Sequence, residues 1–268
     1  MSFTYEGKAP LVEMVNISKA FPGVQALSDI TFNLYKGEIH CLVGENGAGK
    51  STLMKVLSGA HNPDGGELII DGKSYPSLSP KLSQELGISI IYQENDLIPS
   101  MSVAENMFVG LEKTTRFGFL DRKSTEQCAR EEVERLGITL DVEEKVENLS
   151  VAEQQFVKIL KALVLKPRVL LMDEPTSMFN VKDVGTVLSL TEKIAKQGIS
   201  IIYISHFLKE IVQIADRITV IRDGVVVNTY ENKTRDIDLD IITMDMVGRP
   251  VSMFYKKEKH EIGEVVLK

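Results

Sequence analysis

The chain has 268 residues, 43% of them hydrophobic, enough for one large buried core or two small ones. Its formal net charge is −7 and its 31 basic residues are scattered, which argues against nucleic-acid binding, because a phosphate backbone needs a concentrated Lys/Arg face. Two distant cysteines without CxxC spacing fit a reducing cytoplasm, and neither a signal-peptide pattern nor an apolar run of bilayer length is present, so any membrane role is peripheral.

The elements follow in chain order. Near the N-terminus, antiparallel-type strand patterns predict a small sheet of their own. They include Lys19-Ala20-Phe21-Pro22-Gly23, where the Phe21 ring could stack on an adenine or serve in the core. Ile39 to Val43 is an apolar strand, with Cys41 as a small buried hydrophobe, and it runs directly into a glycine-rich turn. Ser51 to Leu57 has helical spacing and stops at Gly59. Leu68 to Ile70 is a strand entering the turn Asp71-Gly72. A helix over Lys81 to Leu86 follows, with Ser79 as N-cap, Pro80 in its first turn and Gly87 at its end.

Ile88 to Tyr92 is another buried strand. From about 95 to 166 the pattern turns mostly helical, with Ser124 as a candidate N-cap and Gln127 completing its capping box. Phe156, Ile159, Leu160, Leu163 and Val164 form one apolar stripe that Pro167 ends. Strands at Val169 to Met172, Ile199 to Ile204 and Ile218 to Ile221 then alternate with helices at Lys182 to Lys196 and Phe207 to Ala215. Near-continuous β-branched runs alternating with helices predict a parallel sheet covered on both faces.

The most specific motif is Gly44-Glu45-Asn46-Gly47-Ala48-Gly49-Lys50-Ser51, a full GxxxxGK(S/T) pattern between a strand and a helix, continued by Thr52. Glycines let such a loop curl until its amides face phosphate oxygens, and the helix N-terminus adds partial positive charge. Lys50 reaches the β- and γ-phosphates, and Ser51 offers a hydroxyl to Mg²⁺. Val169 to Glu174 is an apolar strand ending in two acids. Asp173 at a buried strand end is costly unless it holds Mg²⁺ through water, and Glu174, one residue further out, can polarise an attacking water. His206 and Gln93 each follow an apolar strand, where ligands bind in parallel sheets. Either is equally compatible with a structural role.

Taken in order, these elements resemble the ATP-binding cassette (ABC) family from about Leu11 to Gly248. The resemblance implies a P-loop NTPase (RecA-like) α/β fold: a mostly parallel sheet core, a small antiparallel β subdomain and a helical signature subdomain at about 95–166. It implies ATP and Mg²⁺ as ligands. Phe21 and the 44–52 loop would hold the nucleotide, and Ser51, Gln93 and Asp173 the metal. Glu174 would be the base and His206 a γ-phosphate contact. Residues Glu94 to Gly110 would face a membrane subunit.

Finer wording, namely Ser18 to Leu27, Tyr203-Ile204-Ser205-His206 and Met246-Val247-Gly248-Arg249, is similar to the monosaccharide importers, whose ATPase is a tandem of two cassettes. The expected function is therefore an ATPase, peripheral on the cytoplasmic face of the membrane, that powers import of a monosaccharide or related small polar solute. Its expected partners are a second cassette, an integral membrane permease and, indirectly, a solute-binding protein. Alternatives are a nucleoside importer, or a regulatory or non-transport ABC protein with little turnover. Residues 1–248 are expected to form the cassette, and 249–268 a linker leading into the start of a second one.

Two segments depart from the family pattern. The signature, usually Leu-Ser-Gly-Gly-Gln or Leu-Ser-Val-Gly-Gln, here reads Leu149-Ser150-Val151-Ala152-Glu153-Gln154-Gln155. In the family this segment closes over the γ-phosphate of the partner cassette. At ~6 Å and an effective dielectric of about 20, Glu153 opposes each phosphate charge by roughly 2–3 kcal/mol. Ser177-Met178-Phe179-Asn180 also departs. The pattern predicts one competent site, built on Lys50 and Glu174, and one weak site in the pair.

Overall fold

A computed structural model describes residues 9–177, 179 and 181–248. The first half runs β1 (Val12–Phe21), β2 (Val24–Leu34), β3 (Ile39–Val43), α1 (Lys50–Leu57), β4 (Gly65–Ile70), β5 (Lys73–Tyr75), α2 (Pro80–Glu85) and β6 (Ile88–Ile91). A helical segment follows, with α3 (Val103–Met107), α4 (Arg122–Leu136) and α5 (Val151–Val164). The chain then continues through β7 (Val169–Asp173), α6 (Val181–Lys196), β8 (Ser200–Ile204), α7 (Leu208–Ile214), β9 (Arg217–Arg222), β10 (Val225–Glu231) and α8 (Leu239–Val247).

The main sheet has the order β10-β9-β3-β8-β7-β6, parallel except for β10. Every residue of β3, β7 and β8 is buried, as expected of strands covered on both faces. Successive side chains alternate between two cores, the period-2 pattern of a strand. Cys41, Val43, Met172 and Tyr203 face one core, which α4 to α8 complete. Leu42, Leu171, Ile202 and Ile204 face the other. There Leu53, Met54 and Leu57 of α1 meet Met14, Ile17 and Ile30 of the four-stranded antiparallel sheet β2-β1-β4-β5. The predicted helical insertion and N-terminal sheet are both present.

One sequence expectation is corrected. Ser124 does not cap α4; Asp121 does, its carboxylate accepting from the Ser124 amide at 3.1 Å and from the Ser124 hydroxyl at 2.8 Å. A carboxylate at a helix N-terminus is the stronger acceptor and complements the dipole, so it takes the cap and leaves Ser124 inside the first turn. Gln127 bonds Glu131 instead of closing a box. Ser79 caps α2 through the Leu82 amide, as predicted. The expected linker at 249–268 lies outside the described residues.

A buried polar cluster joins the two sheets at the edge away from the glycine-rich loop. Arg217 on β9 meets Glu38 in the turn before β3 at 2.5 Å, and its guanidinium also reaches the side chain of Asn33 on β2 at 2.7 Å. Its charge lies 4.8 Å from the Tyr35 ring centre. His40 stands between the Asn33 carbonyl at 2.8 Å and the Thr219 hydroxyl at 2.7 Å. Burial, then the Arg217 charge, hold its pKa well below the ordinary value.

Glu38→Ala is expected to cost about 3–5 kcal/mol, because it removes a carboxylate that pairs with a buried guanidinium. Glu38→Ala combined with Arg217→Met should cost less than the sum of the single changes, measured by urea unfolding. Equal additivity would show that the pair is not coupled. A second outcome follows from His40. Its native pKa is depressed, so the unfolded chain takes up the proton first as pH falls. Stability is then complete above about pH 6.5 and declines below it. His40→Gln should flatten the urea midpoint against pH between about 7.5 and 5.5.

Candidate functional site

In the order β3-β8-β7-β6 four parallel strands stand side by side, so their C-terminal ends share one edge. That edge, beside a reversal of strand order, is where ligands bind in open α/β sheets. The four ends lead in turn to the 44–49 loop, Ser205-His206, Asp173-Glu174 and Gln93. The sheet thus brings together every motif residue predicted after a strand.

The loop after β3 is built on its lysine. Lys50 Nζ donates to the carbonyl oxygens of Gly44 and Glu45, each at 2.9 Å, which curls the chain around the ammonium. Lys50 is only 5% exposed. Burial lowers its pKa, while the charges of Glu174 and Asp173 pull the other way. Two glycines are required by close approach: a Cβ on Gly44 would lie 2.1 Å from the Ile221 carbonyl oxygen, and one on Gly49 2.6 Å from that of Ala26. Gly49, at φ 107°, is the N-cap of α1 and gives it no side-chain cap; the first turn also carries no acid. Among the described residues, neither the N-cap nor the first turn of α1 supplies an acid to its amides.

Asp173 ends β7, nearly buried. Burial raises its carboxyl pKa and the Glu174 charge adds to this, whereas the Ser51 hydroxyl and Lys50 lower it. Glu174 has left-handed backbone, φ 46°, and its amide donates to the Ile204 carbonyl at 3.0 Å. A non-glycine residue in this region is a local strain that clusters at functional sites. Its carboxylate stands between His206 Nδ1 at 3.3 Å and Gln93 Nε2 at 3.5 Å. Gln93, Asp173 and Glu174 line a cleft of about 100 Å³ together with Gln154 and Gln155 of α5.

Phe21 is a different case. It ends β1 half-exposed, edge-on to His61 at 5.3 Å and 5.7 Å from Lys19 Nζ. None of the described ring contacts is with the 44–52 loop. The signature segment is closed on itself. Ser150 is the N-cap of α5, and the Glu153 carboxylate accepts from the Ser150 amide at 2.8 Å and its hydroxyl at 2.7 Å. The Ser-x-x-Glu spacing carries that capping box in the sequence itself. A buried pair, Thr176 and Glu210, lies behind Glu174 and His206; no local sequence pattern marks it.

Residues 27–177 match the family described as ABC transporter. The chain belongs to this family. It is 45% identical over 258 residues to the ribose import ATP-binding protein RbsA 1 of Rubrobacter xylanophilus, covering 96% of this chain and 51% of that protein. The chain thus spans about half the length of the curated relatives it matches. A nucleotide-free ATP-binding cassette from an ABC transporter superposes with a TM-score of 0.78 at 22% identity, over 96% of this chain and 100% of that one. A dimeric bacterial ABC transporter cassette superposes with a TM-score of 0.71 at 23% identity, covering 82% and 98% of the two chains. These likenesses carry the P-loop α/β fold. Membership in the family supports ATP as the ligand of this chain.

Gly49→Ala is the direct test of the loop. Its Cβ would meet backbone and the Leu27 side chain together, so ATP affinity, read by equilibrium dialysis, should fall at least tenfold, a loss of about 1.4 kcal/mol or more. Gly47→Ala meets nothing within 4 Å but keeps φ 85°, and should show a smaller loss.

Proposed function

We propose that this chain binds ATP with Mg²⁺ and hydrolyses it to power a membrane importer for a monosaccharide or a related small polar solute. The observation that carries the hydrolytic part is the Glu174 carboxylate, held between His206 and Gln93 beside the Lys50 loop. The relatives' printed role in ribose import supports the solute class.

The residues fit a hard divalent cation: the Ser51 hydroxyl, the Gln93 amide and Asp173 offer oxygen donors next to phosphate, the set Mg²⁺ favours. The buried Asp173 carboxylate, with the Ser51 hydroxyl acting to lower its pKa, supports this assignment. When bound, the ion supplies charge neutralisation to the β- and γ-phosphate oxygens. Lys50 and the α1 amides hold the phosphates, and the half-exposed Phe21 ring is available to stack on the base. Glu174 orients the attacking water and takes its proton, and His206 keeps the γ-phosphate and Glu174 in one arrangement.

Among the described residues no helix is long and apolar enough to cross a membrane. The proposed place is the cytoplasmic membrane face, peripheral, with a permease as direct partner and a solute-binding protein as indirect one.

The dimeric relative supports action in pairs, with a second cassette in the same chain or beside it. Within such a pair the Glu153–Ser150 contact favours unequal sites. The Glu153 carboxylate already occupies the α5 N-terminus, where the signature would otherwise present its serine and amides to the partner's nucleotide. The site built on Lys50 does not use this chain's own signature and stays competent.

Two outcomes are expected. Glu174→Gln in the full-length protein should keep ATP binding and lose hydrolysis by about 10²–10⁴-fold. Appreciable surviving turnover would sink both the role of Glu174 and the single-site idea. Glu153→Gly should release Ser150 and raise ATP occupancy at the second site, counted as nucleotide bound per protein. An unchanged count would remove the unequal-site reading and leave the first intact.

A further inference from the structure

Glu174 and His206 come from separate loops, after β7 and after β8, and no covalent link sets their relation. We infer that Thr176 and Glu210 form a positioning pair that locks these two loops together and so fixes the Glu174–His206 geometry. The inference rests on the proposed hydrolytic role of Glu174 and His206.

The Thr176 hydroxyl donates to Glu210 Oε2 at 2.7 Å across 34 residues of sequence. Thr176 is 2% exposed and Glu210 9%. Each is one short lever from a site residue: Thr176 two positions after Glu174, Glu210 four after His206. Two further ties join the same segments, the Glu174 amide to the Ile204 carbonyl at 3.0 Å and the His206–Glu174 contact itself. The second of these is half in solvent, since the His206 side chain is 43% exposed. The Thr176–Glu210 bond is better shielded than the His206–Glu174 contact, and unlike the Glu174–Ile204 bond it is made by side chains.

The placement of Glu210 is not explained by helix capping. It is the third residue of α7, whose N-cap is Phe207, and an acid there ordinarily reaches back to the N-cap amide. Here that amide donates to the Ser205 hydroxyl at 3.0 Å, so Glu210 is free to turn inward to Thr176. Bringing a carboxylate inward is costly without a partner. Burial pushes its pKa up, whereas Thr176, the His206 charge and Ser205 hold it down. The groups that favour its charged form come from both loops, joined by the Tyr203 hydroxyl of β8 beneath them. Below them the fully buried Tyr203 hydroxyl finds no hydrogen-bond partner of good geometry, although it faces Thr176 and Glu210. The fold accepts an unsatisfied phenol here while keeping the Thr176–Glu210 bond.

Breaking the pair lets the loops relax separately, and misplacement of about 1 Å at a reacting group costs on the order of 10²-fold in rate. Nucleotide affinity should hold, because the Lys50 loop is untouched.

The test is steady-state ATPase kinetics on the full-length protein with Thr176→Val, Thr176→Ser, Glu210→Leu and the Thr176→Val/Glu210→Leu double variant. Thr176→Val and Glu210→Leu should each lower kcat at least about tenfold with KM within about threefold, and the double should lose no more than the worse single. Thr176→Ser restores the hydroxyl and should restore kcat. Loss of kcat in Thr176→Ser equal to that in Thr176→Val, unchanged kcat in Thr176→Val, or fully additive losses would each overturn the pair. Circular dichroism and ATP binding identify a misfolded variant, and Glu210→Gln, whose amide oxygen still accepts from Thr176, then replaces it: retained kcat supports the bond, lost kcat refutes it. Glu174→Gln in the same assay separates the two readings. If it hydrolyses normally, the role of Glu174 fails; if it is inactive while Thr176→Val is not, only the positioning pair fails.

Discussion

Parallel pairing fixes the register of β3, β8, β7 and β6 so that Leu42 and Asp173 both stand opposite Ile204, and Ile91 opposite Met172. Whatever follows these strands must leave the sheet at one level. This places a buried ammonium, Lys50, next to two carboxylates, Asp173 and Glu174, at a low-dielectric edge. Lys50, with Lys55 acting on Asp173 as well, offsets part of this negative charge. Bound phosphate would add negative charge beside these carboxylates, and this is the physical ground of the proposal that a divalent cation accompanies the nucleotide.

The same chain handles two helix N-termini in opposite ways. At α1 the N-cap is a glycine with no side chain to offer, and the first turn carries no acid. At α5 the N-cap serine and the Glu153 carboxylate satisfy each other. Both helices gain stability from what lies at their start, but α1 leaves that gain to a ligand, whereas α5 takes it from its own sequence. The difference between an anion-receiving end and a closed one is thus a matter of which residue stands third in the helix.

The parts of this protein that were legible in the sequence are those whose physics is local. The 44–51 loop, the strand ending in Asp173-Glu174 and the Ser79 cap each depend on residues a few positions apart, and each stands where the pattern puts it. The α4 cap was misplaced by three residues because Ser124 and Asp121 are both good N-caps, and only the backbone geometry decides between them. Glu38 and Arg217, 179 residues apart, and Thr176 and Glu210 have no periodicity to betray them. Their pairing is a consequence of sheet order. Phe21 is a case where residue type alone names a possible role, stacking, and the structure adds its neighbours, His61 and Lys19.

The left-handed backbone at Glu174 ties these scales together. A glycine there would relieve a cost of about 1–3 kcal/mol but remove the carboxylate. The conformation persists because its surroundings over-determine it: its amide is held by Ile204, its carbonyl accepts from the Ser177 amide at 3.2 Å, and the next turn is anchored by Thr176. Strain at such a residue is kept where neighbouring bonds resist its relaxation. The Thr176–Glu210 contact is buried enough to offer that resistance and close enough to His206 to transmit it. Replacing it with an apolar pair would preserve packing, yet the loop would lose the directional bond that keeps Glu174 facing His206.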